Sequence, residues 1–386
     1  MKRHLQVVFL LAAMSMSSVA SARTWRVELD GSGDYTDIQP AVDAAAPGDT
    51  IRIGPGRFDT FHPITAPAWT EDTIVGVLKD ALTFIGSGQN VTFLGPTTYV
   101  GAPGDNPKVF CSFGGFDGRI ENMTIENVEA GVFWERGTLT VNSCVFRAAD
   151  PNYFALQLLT DDCVVQDCSF EHSDGGTAII ISSLGNVHSC QISDCSIQGA
   201  RYGVRVGYGA QGISIRNTSI DAAYWGVVLD QSSIGLVESC SITNTQDVSA
   251  LILNGSQVTL LDSKFDGGSY GLDVNGGIAI GTGIVVSNTT ITALYLNGTG
   301  QATIHGSHIL PAAGLAFKSS VYAGTPALID LTGNYWGTTD SAAIAASIHD
   351  SQDDPALHCT VLYEPFANGP VPAESTSWGD LKALFR

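Results

Sequence analysis

Three six-residue stretches decide the fold: VQDCSF at 165–170, ISDCSI at 192–197 and VESCSI at 237–242. Each carries a cysteine in the same place, two residues before an apolar residue and three after another. Working outward, the residue before each cysteine or its substitute recurs at Asn122, Ser143, Asp167, Asp194, Asn217, Ser239, Asp262, Asn288, Gly306 and Gly333. The successive spacings are 21, 24, 27, 23, 22, 23, 26, 18 and 27. A period in the low twenties with short-strand patterning is the mark of a solenoid.

The register repeats at other offsets. An apolar column runs Phe146, Phe170, Ile197, Ile220, Ile242, Phe265, Ile291, Ile309 and Trp336. Another runs Val141, Val165, Ile192, Ile215, Val237, Leu260, Val286, Ile304 and Leu331. Between them the alternation breaks once, at an Asn, Asp, Ser or Gly able to bend the chain. Each unit then holds another strand led by a small residue, such as GVRV at 203–206 or GLDV at 271–274. Its expected inward pairs include Val132/Trp134, Val204/Val206, Val227/Leu229, Leu251/Leu253 and Leu315/Phe317. These units describe an all-β, single-domain parallel β-helix of about ten coils with short helical caps.

In that frame the cysteines form an inward column shared with Thr218 and Ser263, where a free thiol packs as a small apolar group. Stacked in-register positions converge poorly for a disulfide. Pairs such as Cys163–Cys190 or Cys144–Cys168 stay open in an exported chain. A zinc knuckle has no Cys-x-x-Cys to build on, and no metal or cofactor is expected.

The chain begins with Lys2 and Arg3, an apolar run over 7–13 and a small-residue ending at Ala20 and Ala22. This is the pattern of a signal peptide over 1–22, and it predicts a secreted, cell-surface or periplasmic protein cleaved near Ala22. No later stretch is long and apolar enough to span a membrane. Removing 1–22 takes two cations and no acid, so the formal charge moves from −20 to −22. So acidic a chain is a poor partner for nucleic acid, and a monomer is expected.

The remaining boundaries follow from the caps. Residues 23–60 hold the N-terminal cap and first coil, with Ile38, Val42 and Ala45 at helical spacing before Gly48-Asp49. Residues 61–81 are expected as an inserted loop, 82–337 as the β-helix and 338–368 as the C-terminal cap, with Asp340 capping a short helix. Residues 369–386 form a linker and short tail.

The stretch DGSGDYTDIQPAVDAA at 30–45 resembles the opening of pectin methylesterase-type members of the pectin lyase-like superfamily. GNYWGTTDSAAIAASIHDSQDDPAL at 333–357 is similar to the closing coil of secreted bacterial right-handed β-helix repeat proteins. The resemblance covers roughly 24–366 and implies a right-handed, extracellular β-helix whose relatives include lyases, hydrolases, esterases, epimerases and proteins without catalysis. The chain departs from each catalytic pattern. It has no Gln-Ala-Val-Ala stretch, no Asn-Thr-Asp with Gly-Asp-Asp, no Arg-x-Pro-x-x-Arg and no Asp-Pro-His. Asp161-Asp162 reads as a solvated turn.

Function on such a solenoid is expected on outward residues of the small-residue-led strand. Tyr202, Trp225 and Tyr270 share one outward position and suit flat sugar faces. Asp230, Asp273 and Arg205 are the groups there with catalytic chemistry. The two aspartates lie two coils apart, about 9.6 Å along the axis, near the separation of about 6.5–9.5 Å in inverting glycosidases. His305 and His308 flank a bend, and His349 and His358 sit in the end cap. Since every familiar catalytic signature fails, a non-catalytic binder of extracellular polysaccharide or another surface is the leading expectation. A diverged polysaccharide-active enzyme is the alternative.

Overall fold

Short strands with inward apolar residues and left-handed bends wind this chain into a parallel β-helix of about twelve turns. The computed structural model describes residues 21–66, 69–99, 107–148, 154–172, 175–182, 188–221, 223–322 and 327–370. Residues 1–20 of the expected signal peptide and most of the expected tail lie outside the described residues. Among the described residues sheet I has 14 strands, from Thr24–Val27 to Cys359–Leu362. Sheet II has 11, from Gly56–Phe58 to His308–Leu310, and sheet III has 13, from His62–Ala66 to Ile348–His349. Most coils add one strand to each sheet, parallel and in register with the coil before.

The bends between sheets I and II carry the positions read from the sequence. Asn122, Ser143, Asp167, Asp194, Asn217, Ser239 and Asp262 all have positive φ, from 45° at Asp262 to 58° at Asn122. Asn and Asp tolerate this left-handed conformation better than other side chains do. One bend is corrected. Gly283 (φ 65°), not Asn288, turns the next coil, and Val286 rather than Ile291 stacks between Phe265 and Ile309. Ile291 is 43% exposed. With Gly283 in place the irregular spacings of 26 and 18 become 21 and 23.

The column behind each bend explains why cysteine, threonine and serine interchange. Cys168 Sγ lies 3.2 Å from the Gln166 carbonyl, Thr218 Oγ1 donates to Arg216 O at 2.9 Å, and Ser263 Oγ donates to Leu261 O at 2.7 Å. Each small donor satisfies the carbonyl two residues back, at the point where the sheet ladder is interrupted. All eight cysteines are buried with free thiols.

Sheet III packs as expected at Val132/Trp134, Val204/Val206 and Val227/Leu229, all at most 1% exposed. Two coils are corrected. Ala250 and Ile252 face inward instead of Leu251 and Leu253, because Ala250 is in register with Leu272. Phe317 and Ser319 face inward instead of Leu315 and Phe317, because Leu294 pairs with Phe317. Leu251 therefore stands on the outside, and Lys318 takes the outward place beside Tyr295.

Within 61–81 the described residues form two paired strands rather than a loop. His62–Ala66 runs antiparallel to Trp69–Val77, which joins sheet III through Thr73–Val77. Pro63 is accommodated because its strand is the sheet edge, where one row of N–H groups needs no partner. The solenoid also extends past 82–337 at both ends, since Thr24–Val27 and Cys359–Leu362 are strands of sheet I.

Helix α1, Ile38–Ala44, buries Ile38, Ala41 and Val42 over the first coil. Lys79 Nζ donates to the carbonyls of Val42 and Ala45 at its C-terminal end, the favourable place for a cation. Helix α2, Ser341–Ala346, is capped as read, with Asp340 accepting from the Ala342 N–H at 2.9 Å. Both cover sheet ends that would otherwise offer open edges. Among the described residues no helix is long and apolar enough to cross a membrane.

Candidate functional site

The outer face of sheet III gathers the chemistry-bearing side chains. Its strands Tyr202–Gly207, Trp225–Leu229 and Tyr270–Asn275 begin with an aromatic residue followed by glycine. A Cβ at Gly203 would lie 2.5 Å from the Gly226 carbonyl, and one at Gly226 2.5 Å from the Ser249 carbonyl. Only glycine lets the coils close so tightly there, which leaves the preceding ring half-buried on the outside.

Two outward columns result. In the first, Tyr202, Trp225, Val248, Tyr270 and Thr292 are consecutive in-register partners. The Tyr202 and Trp225 ring centroids are 4.7 Å apart at 36°, and Tyr224 meets Trp225 edge-on at 4.7 Å. The Arg201 guanidinium lies 5.6 Å from the Trp225 centroid, and that of Arg205 lies 5.3 Å from Tyr202. Trp225 Nε1 donates to Asp247 Oδ2 at 3.1 Å.

In the second column, Arg205, Val228, Leu251, Asp273, Tyr295, Lys318 and His349 follow one another. Asp273 is the perturbed group. Burial, reinforced by the Asp247 charge, pushes its carboxyl up to about 6, and its Oδ1 is buried without a hydrogen-bond partner. Beside it the Tyr270 and Tyr295 rings lie 5.1 Å apart. Burial, then Tyr295, Asp273 and Asp247, raise the Tyr270 hydroxyl above its ordinary range.

The expected residues thus divide. Tyr202, Trp225 and Arg205 form one cluster, and Tyr270 and Asp273 another. Arg205 and Asp273 are three strands apart, about 14 Å. Asp230 joins neither cluster. It lies two strands from Asp273 and two residues further along, roughly 12 Å in all, and Asp230 Oδ1 accepts from Asn254 Nδ2 at 2.7 Å.

Tyr295, Lys318, His349 and Asp247 were missed. Tyr295 occupies the same place in its strand as Asp273, so the repeat itself could have found it. The two-residue slip hid Lys318, and assignment to the cap hid His349. The histidines of the last coils serve elsewhere: His305 Nε2 is 3.5 Å from Asp330, and His308 packs edge-on against Tyr335. Among the described residues no group of three His, Cys, Asp or Glu side chains is arranged to hold a metal ion.

The model of the family described as "Right handed beta helix region" matches residues 110–224 and 160–309, together just over half of the chain. No curated protein matches by sequence. Among solved structures, the chain is similar to a double mutant of the tailspike protein of E. coli bacteriophage HK620, with 12% identity and a TM-score of 0.53, over 86% of this chain and 75% of that one. It is also similar to the A-module of mannuronan C-5 epimerase AlgE6 from Azotobacter vinelandii, at 13% identity and TM-score 0.49 over 86% and 94%. Alginate lyase from Paenibacillus sp. str. FPU-7 matches at 15% identity and TM-score 0.46 over 78% and 98%. At such identities the likeness is one of fold.

Proposed function

The chain belongs to the right-handed β-helix family, and on that premise we propose that it is an exported protein whose outer sheet III face binds a carbohydrate chain. The observation that carries this reading is the in-register Tyr202–Trp225 pair, with Arg201 and Arg205 beside the rings. Large half-buried aromatics offer flat apolar area at little entropic cost, and guanidinium and carboxylate groups at their edges can bond sugar hydroxyls. Equivalent side chains on stacked coils recur about every 4.8 Å along the axis, close to the length of one sugar residue. A glycan parallel to the axis therefore meets the same column repeatedly. Tyr270 extends that column two coils beyond Trp225.

The test is affinity electrophoresis in gels containing soluble polysaccharides, with Trp225→Ala and Tyr202→Ala beside the parent protein. Retardation of the parent and not of the variants supports the reading. Equal mobility of all three in every gel removes it.

A second reading, a polysaccharide-active enzyme, is favoured by Asp273. A carboxyl titrating near 6 with an uncommitted oxygen suits proton transfer at near-neutral pH. Tyr295 and Lys318 stand next along the same column. In this reading Asp273→Asn removes turnover, measured as new reducing ends or unsaturated sugars, and keeps glycan binding.

A further inference from the structure

Nearer the N-terminal end of the same face, Glu71, Lys108, Glu129, Phe133, Phe154 and Gln157 line an open cavity of about 230 Å³. Lys108, Phe133, Phe154 and Gln157 stand on three consecutive strands, Lys108–Ser112, Ala130–Glu135 and Phe154–Leu159, while Glu71 comes from Trp69–Val77, so most of the walls are held by the sheet ladder. Phe113 supports Phe133 from the side, with centroids 5.2 Å apart. Lys108 is 6% exposed, its Nζ is 2.6 Å from Glu71 Oε2 and 5.7 Å from the Phe133 centroid. Such a sequestered ion pair stabilises no better than an apolar pair of similar volume. Its presence on the wall of a cavity points to a polar ligand.

The cavity lies in line with the aromatic platform. Phe154, Thr177, Tyr202 and Trp225 are consecutive partners in one outward column, and Phe133, Gln157, Ile180 and Arg205 are consecutive in the other. Phe154 is three strands from Trp225, roughly 14 Å. A glycan on the platform that runs toward the N-terminal end thus meets the cavity within a few sugar residues. The volume is below the roughly 300–1,000 Å³ of sites for larger ligands, and suits a single ring. Two carboxylates against one ammonium disfavour an acidic sugar there.

Resting on the glycan-binding reading above, we infer that this cavity receives one neutral sugar unit at the end of the bound chain. Phe133 and Phe154 contact the ring, while Glu71 and Glu129 accept from its hydroxyls and Gln157 accepts from or donates to them. The face then recognises a chain terminus rather than any internal stretch.

The experiment is calorimetric titration with manno- and cello-oligosaccharides of increasing length, and with mannuronate oligosaccharides for comparison. The proteins are the parent, Phe154→Ala, Gln157→Ala and Trp225→Ala. For a neutral series, parent affinity should rise with length and then level off once the chain spans both sites. Phe154→Ala and Gln157→Ala should weaken the long oligosaccharides by roughly tenfold and leave the shortest that still binds unchanged. Gln157→Ala guards against a folding defect at Phe154. If Trp225→Ala weakens binding while both cavity variants match the parent, the platform stands and the cavity inference falls. If Trp225→Ala changes nothing, the glycan-binding reading fails with it. Binding of mannuronate oligosaccharides only, or of none, overturns the neutral-sugar assignment.

Discussion

Tyr202 and Trp225 stand directly opposite each other on adjacent strands of sheet III, with ring centroids 4.7 Å apart. Two residues further along the same strands, Val204 and Val227 form the equivalent pair inside the core, each 0% exposed. Outer and inner residues should therefore answer truncation differently. Val227→Ala is expected to lower stability by about 1–4 kcal/mol through the cavity it leaves. Trp225→Ala should cost less, since it exposes no core and removes only ring contacts and the bond to Asp247. Urea unfolding midpoints of the two variants check the order.

Asp273 sets a pH dependence. Its carboxyl is raised to about 6 by burial and then by Asp247, so the folded state holds this proton more tightly than the unfolded chain does. Stability from this group is fully present below the ordinary carboxylate pKa of about 4 and is lost as pH rises through 6. The loss is at most about 3 kcal/mol, one pKa unit being 1.36 kcal/mol. Asp273→Asn should flatten that part of the stability profile, measured by denaturant unfolding between pH 4 and 7. An unchanged slope would show that Asp273 titrates as a solvated carboxylate.

The thiol column predicts an asymmetry of size. Cys168→Ser keeps a donor for the Gln166 carbonyl and should be tolerated. Cys168→Leu overfills the column at a cost of about 1–3 kcal/mol. The neighbouring Cys144 thiol, and then burial, raise the Cys168 thiol far above the usual range, so thiol reagents should label it only after unfolding. Mass measurement after alkylation in native and denaturing buffer decides it, and protected thiol pairs in denaturant would contradict the free-thiol core.

The fold was legible because the bends demand particular residues. Asn217, Asp167 and Ser239 mark left-handed turns at a near-constant spacing, and the apolar columns follow from them. Registers failed where a strand offered two apolar sets. In residues 248–253 both Ala250/Ile252 and Leu251/Leu253 alternate, and only pairing with Leu272 and Val274 selects the first. One site residue was lost to such a slip, since Lys318 joins the column of Asp273 and Tyr295 only when Phe317 pairs with Leu294. The corrected register predicts that Ala250→Leu destabilises by about 1–3 kcal/mol, while Leu251→Ser is nearly neutral. Thermal melts of both variants test it, and the reverse order would restore the first register.

The central claim is that the outer face of sheet III holds a glycan, and titration of the parent and Trp225→Ala against alginate, pectin, mannan and α-1,3-glucan tests it most directly. The account predicts that at least one of these binds the parent. It predicts that Trp225→Ala weakens the same interaction by about 1–3 kcal/mol, as for an aromatic anchor, with a smaller loss of melting temperature than Val227→Ala. Equal affinity of parent and variant, or no binding by any of the four, would contradict it.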